Sequence, residues 1–134
     1  MNLKILQQLG CILLFLSVAA AGLSSAERRK VMVTSTIDGS DQPCYVILPS
    51  SYLEKPAAAP LLVSLHTWSG DVEQRNMALE AEAEERGWIY LFPHFRGANR
   101  HPDACGSPLS QQDILDAVDW ACRMEKVDQR RIYL

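Results

Sequence analysis

Val127-Asp128-Gln129-Arg130-Arg131-Ile132-Tyr133-Leu134 decides how the rest of the chain is read. It reads as a turn feeding a buried strand. A polar helix-to-strand turn ahead of a short apolar run is what a parallel sheet needs after each crossover helix.

Working back from this stretch, the spacing predicts a helix opening at Ser110, its cap, with Asp113 three residues on. Its expected inward stripe is Ile114, Leu115, Val118 and Cys122, with Ala117 and Ala121 beside it. Before it lies a long polar loop, His94 to Leu109, and before that an apolar strand, Trp88 to Phe92, ended by Pro93. Asn76 to Arg86 has helical spacing, with Met77, Ala81 and Glu84, or Ala78, Glu82 and Glu85, as its faces and Gly87 as its stop. Leu61 to Leu65 is nearly continuous in apolar residues, the pattern of a parallel strand covered on both faces. Pro49 to Pro60 reads as a surface connection. Lys30 to Ile37 and Tyr45 to Leu48, separated by Asp38-Gly39-Ser40-Asp41, read as an edge hairpin. The order is hairpin, strand, helix, strand, helix, strand. That order implies an α/β fold with a parallel sheet and right-handed crossovers.

The first 26 residues read as a signal peptide. Lys4 precedes an apolar run from Ile12 to Leu23, and small residues at Ser24 and Ala26 suit cleavage after Ala26, with Ala21 as the alternative. The run is shorter than the about 20 residues of a membrane span, so no stable membrane anchor is expected, although Arg28, Arg29 and Lys30 follow it directly. The expected destination is secretion or the periplasm. Residues 27–134 then form one partial domain. Without Lys4 it holds 12 basic against 16 acidic side chains, a net charge of −4. That balance offers no basic stripe for nucleic acid. Three cysteines remain, Cys44, Cys105 and Cys122, an odd number whose pairing the sequence leaves open; the plainer reading makes them small hydrophobes.

Chemistry is expected beyond the carboxyl ends of the strands. The first loop there is Leu65-His66-Thr67-Trp68-Ser69-Gly70-Asp71 and the second is Phe92-Pro93-His94-Phe95-Arg96-Gly97-Ala98-Asn99-Arg100. His66, His94, His101, Asp103 and Cys105 lack the tight pairing of a metal motif, so neither metal nor cofactor is expected. Taken in order, the two loops, the stretch Gln112 to Trp120 and the segment ending Arg131-Ile132-Tyr133-Leu134 resemble the amino-terminal half of α/β-hydrolases. The closest likeness is to the prolyl oligopeptidase-like and secreted esterase branches, over about residues 30 to 134.

The resemblance implies a serine hydrolase that cleaves a small-molecule ester or a peptide through an acyl-serine intermediate. In that family Gly-x-Ser-x-Gly follows the final strand directly. None of Ser64, Ser69, Ser107 or Ser110 sits in that context, so the nucleophile, acid and base are all expected after Leu134. This chain is expected to be inactive and to fold poorly by itself. The first loop would supply an oxyanion donor, the N–H of Trp68 or, second, of Thr67, with His66 orienting the loop. Thr67 stands where glycine is usual, and a β-branched residue tolerates a positive φ poorly. The plainer reading of this loop is a strand-to-helix turn with Ser69 or Asp71 as cap. Arg96 and Asn99 are candidates to border the substrate cleft; pairing of Arg96 with a carboxylate such as Asp113 is the preferred reading for that residue. A different class, an exported non-catalytic α/β binding module, would use His94 to Pro108 as its contact surface.

Overall fold

A computed structural model describes residues 25–134. The expected signal peptide therefore lies, apart from Ser25 and Ala26, outside the described residues. Ser25 and Ala26 are exposed. Immediately after them comes β1 (Glu27–Thr34), then β2 (Asp41–Leu48), α1 (Ser50–Glu54), β3 (Ala59–Val63), α2 (Met77–Arg86), β4 (Ile89–Pro93), α3 (Pro108–Met124) and β5 (Val127–Tyr133).

The strands form one mixed sheet in the order β1-β2-β4-β3-β5. β1 and β2 make the antiparallel edge hairpin, β2 meets β4 antiparallel, and β3 pairs parallel with both β4 and β5. The non-consecutive order β4-β3-β5 requires crossovers, and α2 and α3 supply them.

Strand alternation sorts side chains onto two faces. Val33, Cys44, Val46, Leu48, Leu61, Val63, Ile89 and Leu91 pack on Ala117 and Ala121 of α3, forming the main core. Ile47, Tyr90 and Phe92 pack on Ala83 of α2 in a smaller, more aromatic cluster.

Several local expectations shift. The first strand starts and ends earlier than Lys30 to Ile37, because the tight turn begins at Ser35, where Ser35 N–H donates to Ser40 O at 2.8 Å. The connection after Pro49 is not bare surface: it contains α1, whose Tyr52 is buried. The α1 start has no side-chain cap of its own; Glu84 from α2 instead accepts from Ser50 N at 3.1 Å. A carboxylate at that amino terminus meets unpaired N–H groups and the positive helix end.

Neither predicted face of α2 is the buried one. Ala83 is its buried residue, and Met77 is exposed. The helix carries too few apolar residues for periodicity to choose a face. In α3 the cap is Ser107, not Ser110, and it accepts from Ser110 N at 3.1 Å. Pro108 takes the first helical turn, where its missing N–H costs nothing. The buried face is Ser110, Asp113, Asp116, Ala117 and Ala121, and Leu115 is 57% exposed. The small alanines let α3 close on the sheet, while the two carboxylates are buried because they have partners. Asp116 accepts from Thr36 N at 2.7 Å and from Thr36 Oγ1 at 3.0 Å.

The opening stretch also differs from its reading. β5 is exposed along its length from Gln129, because it lies at the sheet edge and pairs on one flank only. Its register with β3 breaks between Ala59↔Val127 and Leu61↔Ile132. The intervening residues loop out around Asp128, which accepts from Arg130 N at 3.1 Å. An irregularity inside the strand stands where the turn was expected, and the strand is exposed where burial was expected.

Candidate active site

The loops after β3 and β4 leave the carboxyl ends of adjacent parallel strands, so strand pairing alone brings them together. Ser64 N–H still donates to Leu91 O at 2.9 Å, prolonging the pairing past Val63. Beyond it, His66 is 6% exposed and its ring stacks on Phe95, centroids 4.0 Å apart and planes 4° from parallel. Its Nε2 lies 2.9 Å from His94 O and its Nδ1 3.0 Å from Thr67 O. Both partners are carbonyl oxygens, and a neutral imidazole has one N–H to donate. His66 thus joins the two loops, with its ring nitrogens directed at backbone.

Thr67 is not among the residues with positive φ, so it occupies the expected glycine position without left-handed strain. Its N–H and its Oγ1 both donate to Gln74 Oε1, each at 2.9 Å. The Thr67 carbonyl accepts from Gly70 N at 3.0 Å, and Asn99 N–H donates to Trp68 O at 2.9 Å. Of the two backbone donors expected here, Thr67 N–H is occupied. Trp68 N–H has no acceptor among the described residues. The Trp68 side chain is 68% exposed.

The second loop is built differently. Phe95, Arg96 and Gly97 follow one another at φ values of 37°, 75° and 76°. Two non-glycine residues in that region store strain that surrounding contacts must hold. Phe95 is held by the His66 ring. Arg96 is held by charge: Nε donates to Asp113 Oδ2 at 2.5 Å, Nη1 to Asp38 Oδ2 at 2.8 Å, and Nη2 to Ser35 Oγ at 3.1 Å. Hydrogen bonding from Arg96 holds the Asp38 carboxyl well below the usual range, and its bonds to Asp38 and Asp113 push the Arg96 pKa up. A Cβ at Gly97 would lie 2.9 Å from the His94 ring. His94 accepts from Val72 N at Nδ1, 3.3 Å away, which requires a neutral ring. Burial, then the neighbouring His66, push its pKa down.

Arg96, a cleft candidate, thus has its guanidinium committed to structure. Asn99 lies beside Trp68, and its Oδ1 is enclosed without a hydrogen-bond partner among the described residues. His66, Thr67, Trp68 and Asn99 come together. Gln74 and Asp38 belong to the same framework and went unseen in the sequence, since isolated polar residues in turns carry no periodic signal. The three cysteines are free: Cys44 buried, with burial pushing its thiol up to about 12, Cys122 half-buried and Cys105 exposed. No group of three or more His, Cys, Asp or Glu among the described residues is arranged to hold a metal.

No protein-family model matches the chain, and no curated protein does. Solved structures do. An acylaminoacyl peptidase from Pyrococcus horikoshii superposes with a TM-score of 0.64 at 22% identity, over 82% of this chain and 19% of that one. The fold is that of an α/β-hydrolase. The S-formylglutathione hydrolase of Staphylococcus aureus matches at TM-score 0.61 and 20% identity, covering 81% of this chain and 46% of the enzyme. The acetyl xylan esterase of Paenibacillus sp. R4 matches at TM-score 0.60 and 23% identity, over 86% and 42%. The chain spans less than half the length of each, so it carries part of the α/β-hydrolase fold. The matched structures are peptidases and esterases.

Proposed function

We propose that residues 27–134 form the oxyanion-donor half of a serine hydrolase that cleaves ester or peptide bonds. The observation that carries this reading is the Trp68 N–H: of the two donors the resemblance points to, it has no acceptor among the described residues, while Thr67 N–H is occupied. In acyl transfer, negative charge develops on the carbonyl oxygen, and a fixed N–H aimed at that oxygen lowers the barrier. Trp68 N–H is the donor from this loop, His66 ties the loop to its neighbour, and Asn99 holds the Trp68 carbonyl. Nucleophile, acid and base are supplied by sequence beyond Leu134, the serine on the turn that follows β5.

A fluorophosphonate probe tests this on the protein made from its own gene. Covalent labelling of one serine beyond residue 134 supports the proposal. Absence of labelling, or labelling of Ser64, Ser69, Ser107 or Ser110, overturns it.

We further propose export through a cleaved signal. Ser25 and Ala26 are exposed and β1 begins at the next residue, so cleavage after Ala26 would spare the sheet. Amino-terminal sequencing should find Glu27 as the first residue of exported protein; a retained Met1 on protein inside the cell counts against it.

A further inference from the structure

We infer that Gln74 is a positioning residue for the Trp68 donor, acting through Thr67. The inference rests on the reading of this loop as an oxyanion site. A trans peptide is planar, with its C=O and N–H pointing in opposite directions. The direction of Trp68 N–H is therefore set by whatever fixes the Thr67 carbonyl and the torsions of Thr67 itself.

Gln74 fixes those torsions. One amide oxygen takes the Thr67 N–H and the Thr67 hydroxyl together, each at 2.9 Å, pinning the residue on its backbone and its side chain at once. Gly70 N–H then holds the Thr67 carbonyl. The same arrangement removes Thr67 N–H from competition with Trp68 N–H.

Gln74 is itself anchored. Its N–H donates to Asp71 O at 3.0 Å, Glu73 N–H donates to Asp71 Oδ1 at 2.8 Å, and the intervening Val72 is buried with its N–H on His94. Gly70 leaves the space this requires, since a Cβ there would run into Gln74 Oε1. A glycine at position 67 would have no hydroxyl to offer. Threonine with Gln74 thus replaces a flexible residue by a stiff, doubly bonded one.

Two measurements on the protein made from its own gene test this. The first is amide exchange in Gln74→Met, which keeps the side-chain length and removes the acceptor. Exchange at Thr67 should accelerate; unchanged exchange overturns the clamp. The second is hydrolysis of a nitrophenyl ester. Misaimed donors cost turnover, so kcat should fall about 10- to 100-fold with KM within about two-fold. The double variant Thr67→Val, Gln74→Met should be no slower than the slower single variant, because both break one unit. Additive losses, or a change confined to KM, overturn the inference. Gln74→Ala at this partly exposed position must show the same pattern. A wild type that takes the fluorophosphonate while Gln74→Met turns over normally sinks this inference alone. A wild type that neither labels nor hydrolyses sinks the reading of the site and this inference with it.

Discussion

The loops after β3 and β4 lie side by side and are stabilised in opposite ways. The first runs without positive φ at its key residue and is held by neutral hydrogen bonds, to Gln74 and from Gly70 and Asn99. The second crosses three left-handed residues and is held by a charged fork from Arg96 to Asp38 and Asp113. The first leaves Trp68 N–H without an acceptor among the described residues; the second commits its Arg96 guanidinium to its own shape.

The sharpest attempt to break this contrast is Arg96→Ala. It strands the carboxylate of Asp113, which is 3% exposed. Removing one partner of a buried pair costs about 3–5 kcal/mol, so thermal unfolding should show a large loss. Arg96→Lys should recover little, since an ammonium cannot reproduce the fork. A stable Arg96→Ala protein with impaired hydrolysis would instead return Arg96 to the cleft.

Next is Trp68→Pro, which deletes the proposed donor. Loss of one oxyanion N–H costs about 100- to 1000-fold in kcat, so ester turnover should fall by that order while Arg96 variants that still fold keep theirs. Gly97→Ala should be smaller, about 1–3 kcal/mol, for strain at φ 76° and the collision with His94. Chemical denaturation measures it.

The mildest effect is on pH. The folded state lowers the His94 pKa, so it binds that proton less readily than the unfolded chain does. Its contribution is intact above the unfolded value of about 6.5 and is lost as pH falls through the folded value. The melting temperature should drop as pH falls below about 6.5, and drop less in His94→Gln. Further acidification, below about pH 4, should then remove the contribution of Asp38, whose pKa is also lowered.

The succession of strands and helices along the chain was readable because β3 and β4 are dense in apolar residues, as strands covered on both faces are; the order of the strands in the sheet was not. The helix faces were not. α3 turns Asp113 and Asp116 inward and Leu115 outward because Arg96 neutralises Asp113 and Thr36 donates hydrogen bonds to Asp116, both from distant parts of the sequence. Periodicity counts apolar residues and cannot register a partner that distant. The loop after β3 could be read for its location and for His66. Its internal order depends on Gln74, whose role exists only once the turn at Asp71 has folded back.

The hairpin's fastenings bear on the timing of assembly. Arg29 meets Glu125 at 2.5 Å across 96 positions, and Thr36 meets Asp116 across 80. The hairpin therefore gains these contacts only once α3, far along the chain, has been made. Contacts so distant in sequence slow folding, because the loop must close before they can reward it. Until α3 emerges, the β1–β2 hairpin has its turn but lacks the two clasps that fix it to the sheet, so hairpin formation should precede its fastening.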